Sequence, residues 1–226
     1  MVKLILLLVP HLTGNVHIQV NPFDSYSTER MVKGAQRIVG IFQHVDTTFD
    51  ASRVCIKIPS TWEGLQACKE LEEMGIKTLA TTLFCLEQAV LAGSNGCTYI
   101  APYVNELRVH VDDGYKHESP NFLLCIQAQK YFERHGQRTL VLPASLTSVQ
   151  ECMSLAGARH ITIAPHLLYA LAKTKCDDRY TEAFPSLFEK EGDAEAPRRM
   201  DFATAADFRI AMTRRNDGKE EGKLIQ

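Results

Sequence analysis

Short apolar runs alternate along this chain with segments of helical periodicity. Six runs have the length and composition of buried β-strands, and they lie at residues 16–21, 54–58, 76–84, 98–104, 139–144 and 160–165. Three of the steps between successive runs leave room for one helix and little more. Parallel strands need such a helical crossover, so the alternation predicts right-handed βαβ units and a parallel sheet.

The residues between the apolar positions distinguish an open sheet from a barrel. In VHIQVN (residues 16–21) the apolar side chains share one face, while His17, Gln19 and Asn21 share the other. An open sheet covered by helices on both faces would need both sets to be apolar, whereas a barrel can direct a polar set into its interior. No glycine-rich nucleotide loop follows any predicted strand. The pattern therefore favours the α/β class and a (β/α) TIM-type barrel.

Two helices can be delimited from their ends. STWEGLQACKELEEMG (residues 60–75) has a predicted capping box at Ser60 and Glu63 and a C-terminal cap at Gly75. MVKLILLLVP has an apolar stretch only at residues 4–9 and no cleavage site after it. That stretch is predicted to form a buried helix rather than a signal peptide or a membrane span.

Composition limits the class of protein. The 226 residues are 45% hydrophobic and carry a net charge of −2, which suits one domain over residues 1–226 and no nucleic-acid or membrane partner. Seven cysteines without CxxC spacing indicate free thiols and a cytoplasmic location. A polar tail starts near residue 177, and within it residues 201–212 are predicted to form a last packing helix.

Lys57 is a cation inside the apolar run VCIKI. By alternation it shares the interior face with Cys55, near the carboxyl end of its strand, where barrel active sites are built. Burial lowers the pKa of a lysine, and a neutral lysine is the nucleophile that attacks a carbonyl to form a Schiff base. Taken alone, the pattern fits equally a lysine that pairs with an interior carboxylate or extends to solvent.

The residues around Lys57 carry a family resemblance. IKIPSTWEGLQACKELEEMGI, TTLFCLEQAVLAG, YIAPYVNEL and LVLPASLTSVQECMSLAG resemble the transaldolase family and, at several positions, its fructose-6-phosphate aldolase branch. LILLLVPHLTGNVHIQV resembles the family's helix leading into the third barrel strand. The resemblance covers roughly residues 4–175. It implies an N-terminally shortened, divergent member whose barrel is incomplete, with about six strands and the first two missing.

The resemblance also implies a set of site residues and no cofactor or metal. Lys57 stands at the Schiff-base lysine, and Thr81 at a threonine that relays protons through a water. Gln19 would help to hold that water, and Tyr103 would donate or accept a proton beside it. Ser145 falls at a serine that contacts substrate oxygens. The alternative is that these are satisfied interior polar groups and a core aromatic.

Three departures from the family pattern concern the substrate. Glu106 replaces the arginine, and Thr147 the basic residue, that hold the substrate's phosphate in the family. Leu79 replaces an asparagine beside the substrate, which makes that wall more apolar. We therefore expect an unphosphorylated, or even cationic, small carbonyl substrate, unless another basic residue takes over the phosphate. Candidate replacements are Arg108, Arg214 and Arg215.

Three functions remain open from the sequence. The first is a Schiff-base aldolase or transaldolase-like enzyme, and the second is other imine chemistry, such as dehydration, isomerisation or condensation with an amine. The third is a catalytically silent relative that serves as an interaction or assembly module, which the missing strands would favour. Six strands leave sheet edges exposed, so we expect a homodimer or higher oligomer.

The histidines give weaker signals. HVDDGYKHE, which contains His110 and His117, matches no metal-ligand spacing and is predicted to be a solvated loop. His17 either bonds to a substrate hydroxyl or, as the pattern favours, is a satisfied core histidine.

Overall fold

The computed structural model describes residues 1–174, 185–190, 197–214 and 223. Its centre is one parallel sheet, in which each strand pairs with the next strand along the sequence. The five strands are β1 (Val16–Gln19), β2 (Val54–Pro59), β3 (Lys77–Leu83), β4 (Tyr99–Pro102) and β5 (Leu140–Val141).

The helices connect the strands and cover one face of the sheet. They are α1 (Val2–Leu8), α2 (Thr28–Val45), α3 (Trp62–Glu73), α4 (Leu86–Ser94), α5 (Phe122–Arg134), α6 (Val149–Ser154), α7 (Pro165–Lys173), α8 (Leu187–Lys190) and α9 (Ala205–Thr213). Short 3₁₀ turns occur at Val9–His11, Pro22–Asp24, Ala51–Arg53 and Leu107–His110.

The order of parallel strands confirms an α/β fold of the incomplete (β/α) barrel type. Within the described residues β1 and β5 are not joined, so the sheet stays open. The predicted sixth strand is not a regular strand, although His160 and Thr162 donate backbone hydrogen bonds to Val141 (3.2 Å) and Pro143 (2.9 Å). A regular parallel ladder would also need a hydrogen bond donated by the backbone nitrogen of residue 143. That residue is proline, which has no backbone hydrogen to donate, so the ladder is incomplete.

The two faces of the sheet have separate apolar clusters. Val54, Ile56 and Ile58 of β2 belong to the large core formed with the helices. Cys55 belongs to a small cluster on the concave face, together with Leu79, Tyr99 and Ala101. The alternation predicted from the sequence is therefore confirmed, and Lys57 lies on the concave face.

Helix α3 begins one residue later than the sequence suggests. Thr61, not Ser60, is the N-cap, and its Oγ1 accepts the Gly64 N–H at 2.9 Å. Ser60 is still extended, and both its N–H (2.8 Å) and its hydroxyl (2.7 Å) donate to the carbonyl oxygen of Thr81. The predicted capping box at Ser60 is therefore wrong, whereas Gly75 follows the helix end with φ +79°, as a left-handed cap requires.

Helix α1 corrects another prediction. It is helical as expected, but none of its residues is buried, and Leu4 and Leu7 are 63% and 71% exposed. The reason is that only one of its faces, which carries Ile5 and Leu6, packs against the core, beside α2.

The structure also bears on the predictions for the last helix, the cysteines and a membrane span. Phe208 and Met212 of α9 are buried, so the last packing helix is confirmed. None of the described cysteines forms a disulfide bond, and all of them are buried. Among the described helices, none combines the length and the apolar character that a membrane span requires. Arg215 and residues 175–184, where the polar tail begins, lie outside the described residues.

Candidate active site

A cavity of about 420 Å³ opens at the carboxyl ends of the strands. Its walls combine five apolar side chains with six polar ones. The apolar side chains are Leu79, Ala101, Leu107, Leu142 and Ala144, and the polar ones are His17, Lys57, Tyr103, His110, Ser145 and Thr162. A concave site with a few convergent polar groups is typical of small-molecule binding.

Lys57 is the only lysine that lines this cavity within the described chain. Its side chain is half-buried, and burial lowers the pKa of the amine, although the neighbouring Cys55 opposes this effect. Among the described residues, no carboxylate pairs with the side chain of Lys57 and no group forms a hydrogen bond with its amine. A lysine that is desolvated and unpaired is available as a nucleophile.

Thr81 and Tyr103 form a hydroxyl pair at the end of the neighbouring strands. Thr81 Oγ1 lies 3.3 Å from the hydroxyl of Tyr103, and either oxygen can donate. Thr81 is fully buried, while Tyr103 lines the cavity and rests edge-on against the ring of Phe84 at 5.3 Å. The pair is a short hydrogen-bonded route from the interior of the fold to the cavity.

Strand alternation directs Thr81 to the same face as Leu79, and β3 becomes irregular directly after it. Thr82 has a φ of +51°, which is strained for a β-branched residue, and the register of β3 against β4 shifts between Ala80 and Leu83. Leu83 consequently joins the core on the helix side, although its odd number would place it with Leu79 on the concave face.

The side chain of Gln88 stabilises this irregular segment through hydrogen bonds to its backbone. Its Oε1 accepts the backbone N–H groups of Phe84 (2.8 Å) and Cys85 (3.2 Å). Its Nε2 donates to the carbonyl oxygens of Ser60 (3.0 Å) and Thr82 (3.2 Å). The side chain is fully buried and joins the ends of β2 and β3, a role that the sequence reasoning missed.

Ser145 and His110 form the opposite side of the cavity. Ser145 has a φ of +64°, and its Oγ lies 2.8 Å from Nε2 of His110. The sequence predicted a solvated loop around His110, and the ring is indeed exposed, but it also lines the cavity. A signal was available, because His110 follows β4 in the kind of loop that carries functional residues in barrels.

His17 lies on β1 and faces the same cavity. Burial and, to a lesser extent, the charges of Lys57 and His160 lower the pKa of His17 from 6.5 to about 4. The ring packs against Tyr99 at 5.5 Å. Among the described residues, neither of its ring nitrogens has a hydrogen-bond partner. The structure therefore does not support the prediction of a hydrogen-bonded core histidine.

Of the other sequence-predicted site residues, Gln19 and Thr147 lie away from the cavity lining. Gln19 is exposed but is the register partner of Lys57 in the sheet. Thr147 is exposed, and its N–H donates to Glu151 at 2.6 Å. Leu79 and Ser145 line the cavity, as the sequence predicted.

Glu106 also points elsewhere. Its carboxylate accepts the hydroxyl of Tyr115 at 2.9 Å and lies 3.7 Å from Nζ of Lys223 and 3.9 Å from Nε2 of His117. The carboxylate of Glu106 therefore already has partners within the protein and does not need a substrate to supply them.

Two of the basic residues suggested as phosphate holders, Arg108 and Arg214, are not in the lining either. Arg108 pairs with Asp112 and stacks over the ring of Tyr115 at 4.4 Å. Arg214 is exposed at the end of α9. Within the described parts of the chain, no three histidine, cysteine or acidic side chains converge in the way that a metal ion requires.

Comparisons with known proteins agree with this geometry. A family model described as Transaldolase/Fructose-6-phosphate aldolase matches residues 1–212. A protein named Transaldolase from Methylococcus capsulatus is 33% identical over 207 residues, which cover 87% of this chain and 56% of that protein. Another Transaldolase, from Shewanella sp. strain ANA-3, is 32% identical over 234 residues, which cover 97% of this chain and 70% of that protein.

A solved structure, inosine 5′ monophosphate dehydrogenase from Legionella pneumophila, is more distant. It is 14% identical with a TM-score of 0.46, and the match covers 74% of this chain and 48% of that one. The family model spans nearly the whole chain and leads to one conclusion: the chain belongs to the transaldolase/fructose-6-phosphate aldolase family.

Proposed function

We propose that this protein is a Schiff-base-forming enzyme of the aldolase or transaldolase type that acts on a small, unphosphorylated carbonyl compound. The observation that carries the proposal is Lys57, a half-buried amine with a lowered pKa, facing a cavity at the carboxyl ends of parallel strands. Membership in the family supports the same reaction class. The chain spans just over half of the Methylococcus relative, so the activity is proposed for this chain rather than transferred to it.

The chemistry begins when the neutral amine of Lys57 adds to the carbonyl carbon. Loss of water from the resulting carbinolamine gives an iminium, which withdraws electrons from the adjacent carbon–carbon bond. The hydroxyls of Tyr103 and Thr81, 3.3 Å apart, would carry protons to and from the carbinolamine oxygen. Gln19, beside Lys57 in the sheet, would orient a water from the edge strand.

The polar groups of the cavity favour a substrate without a phosphate. No arginine lines the cavity within the described residues, and Arg108 is engaged with Asp112 and Tyr115. Glu106 is likewise engaged, with Tyr115 and Lys223, so the cavity also gives no support to a cationic substrate. Ser145 and His110 would instead form hydrogen bonds with hydroxyl or carbonyl oxygens of a neutral compound.

Borohydride trapping tests the reaction class. The protein is incubated with hydroxyacetone or dihydroxyacetone, reduced with borohydride and analysed by peptide mass spectrometry. We expect an adduct on Lys57 that is absent from the Lys57→Ala variant. Lys77→Ala is the matched control, because Lys77 also lies in the sheet but donates to Asn15 at 3.0 Å, and this variant should still form the adduct.

The same experiment separates the alternatives. An adduct without any making or breaking of carbon–carbon bonds would favour other imine chemistry. If no carbonyl compound forms an adduct, the silent interaction or assembly module becomes the better explanation. Saturable turnover of fructose 6-phosphate at low micromolar concentration would contradict the unphosphorylated substrate and leave the Schiff base intact.

A further inference from the structure

We propose that His17 is a further catalytic residue, the base that takes the proton from the substrate's β-hydroxyl when the carbon–carbon bond breaks. The inference deepens the proposed function and rests on it, since it concerns the step after the Lys57 iminium has formed. The observation behind it is an imidazole that lines the cavity, packs against Tyr99 and has no hydrogen-bond partner among the described residues.

The position of His17 is set by the sheet. It lies in β1, opposite Cys55 in register, two residues before the partner of Lys57. The rings of Tyr99 (5.5 Å from His17) and His160 (5.3 Å from Tyr99) form an aromatic row that supports it from the side. Strand and ring packing therefore hold the side chain in place at the cavity wall, as a catalytic group needs.

Apart from Lys57, which forms the iminium, and the weakly basic hydroxyl of Thr162, the other groups of the cavity that can exchange a proton already have partners. The Tyr103 hydroxyl is paired with Thr81, and Nε2 of His110 with Ser145. Within the described part of the chain no carboxylate lines the cavity. His17 is the remaining side chain that can accept a proton without breaking a contact of the folded protein.

The protonation state of His17 is suitable for a base. The groups that face it are Lys57, His160 and the ring of Tyr99, and burial together with the two charged groups keeps the pKa of His17 near 4. The ring is therefore neutral and can accept a proton at neutral pH. Its basicity is then about that of an ordinary aspartate carboxylate, whose pKa is about 3.9.

The bond changes balance as follows. His17 takes the hydrogen of the hydroxyl on the carbon β to the iminium carbon, and the O–H electron pair forms the new carbonyl. The bond between the α and β carbons breaks, and its electron pair forms the enamine while the iminium nitrogen becomes neutral. An aldehyde leaves. In the reverse direction, protonated His17 returns its proton to the alkoxide as the new carbon–carbon bond forms.

Three measurements on the full chain test this role. Borohydride trapping of hydroxyacetone reports imine formation, and exchange of its α-hydrogens in D₂O, followed by proton NMR, reports the enamine. Addition of hydroxyacetone to glyceraldehyde reports carbon–carbon bond formation. For His17→Asn we expect trapping and exchange to stay within a few-fold of wild type, while addition falls about 100-fold or more.

His44→Asn is the matched control, because His44 is exposed on α2 and does not line the cavity, and it should leave all three reactions unchanged. His17→Gln provides a second variant, and thermal unfolding checks that each one folds. If addition survives in both His17 variants, the inference is wrong. It is equally wrong if trapping and exchange fall as far as addition does, since the ring would then only shape the cavity. A wild-type protein that forms no Lys57 adduct would instead refute the proposed function itself.

Discussion

His17 and Lys57 lie on adjacent strands and face one cavity, and the pKa of each side chain is lowered. The charge of Lys57 helps to lower the pKa of His17, and burial lowers the pKa of both side chains. Both groups are therefore more often neutral than they would be in water. That state makes the amine a nucleophile and the imidazole a proton acceptor, so one physical cause, desolvation, prepares two chemical roles.

The lowered pKa of His17 makes stability depend on pH. In the unfolded chain His17 binds a proton near pH 6.5, whereas in the folded chain it does so only near pH 4. Between these pH values the unfolded state therefore holds more protons than the folded state. The free energy of unfolding should therefore fall as the pH drops through this window. Between about pH 7 and about pH 5, wild type should lose about 2 kcal/mol more than His17→Asn.

Urea unfolding of the two proteins at both pH values measures this difference. The other histidines are common to wild type and variant, so their contributions cancel in the comparison. If the free energy of unfolding falls by the same amount in both proteins, folding does not lower the pKa of His17.

At the scale of single elements, two glycines near helices should respond in opposite ways to the same substitution. Gly75 follows α3 with φ +79°, whereas Gly34 lies inside α2, and a methyl group would meet nothing within 4 Å at either position. Gly75→Ala should lower the free energy of unfolding by about 1 kcal/mol, because the left-handed conformation is strained for alanine. Gly34→Ala should raise it by about 0.5–1 kcal/mol through helix propensity.

Chemical denaturation of the two variants beside wild type provides the test. Because neither methyl group has a steric neighbour, each variant serves as the control for the other. If both substitutions change the free energy of unfolding in the same direction, the backbone conformation at Gly75 is not what stabilises the end of α3.

At the scale of the whole molecule, the open sheet bears on assembly. Within the described residues the outer edge of β1 has no partner strand, and α1 exposes Leu4, Leu7 and Leu8. Unpaired strand edges and apolar helix faces are stabilised by contact with another chain. We therefore expect a homodimer or a larger homo-oligomer.

Light scattering coupled to size-exclusion chromatography measures this directly. The mass should be a multiple of 25.3 kDa over a wide concentration range. A species that remains at 25.3 kDa at the highest concentration would contradict the expectation.

Much of the architecture could be read from the sequence, because it depends on local periodicity. The spacing of apolar runs predicted the βαβ order, and the alternation in VHIQVN and VCIKI predicted which side chains face the concave side. Elements at the margins were predicted less well. Residues 160–165 lack the regular ladder because of Pro143, and α1 is exposed because only one of its faces meets the core.

The site was predictable only in part. Lys57, Thr81, Tyr103, Ser145 and Leu79 lie in or next to the cavity, but Glu106 and Thr147 form contacts away from it. His110 was placed in a solvated loop, and no pattern indicates that it reaches Ser145, which is 35 residues further along the chain. Gln88 has an equally nonlocal role, since its side-chain hydrogen bonds join the ends of two strands.

By itself, the sequence determined the α/β class, the order of the strands and the face on which Lys57 lies, since these follow from periodicities of a few residues. Only the tertiary structure decided which polar groups share the cavity. It also decided that Lys57 has no carboxylate partner among the described residues and that the nitrogens of His17 remain unpaired there. The physical reason is that desolvation and hydrogen bonding depend on neighbours from distant parts of the chain, and local patterns carry no information about those neighbours.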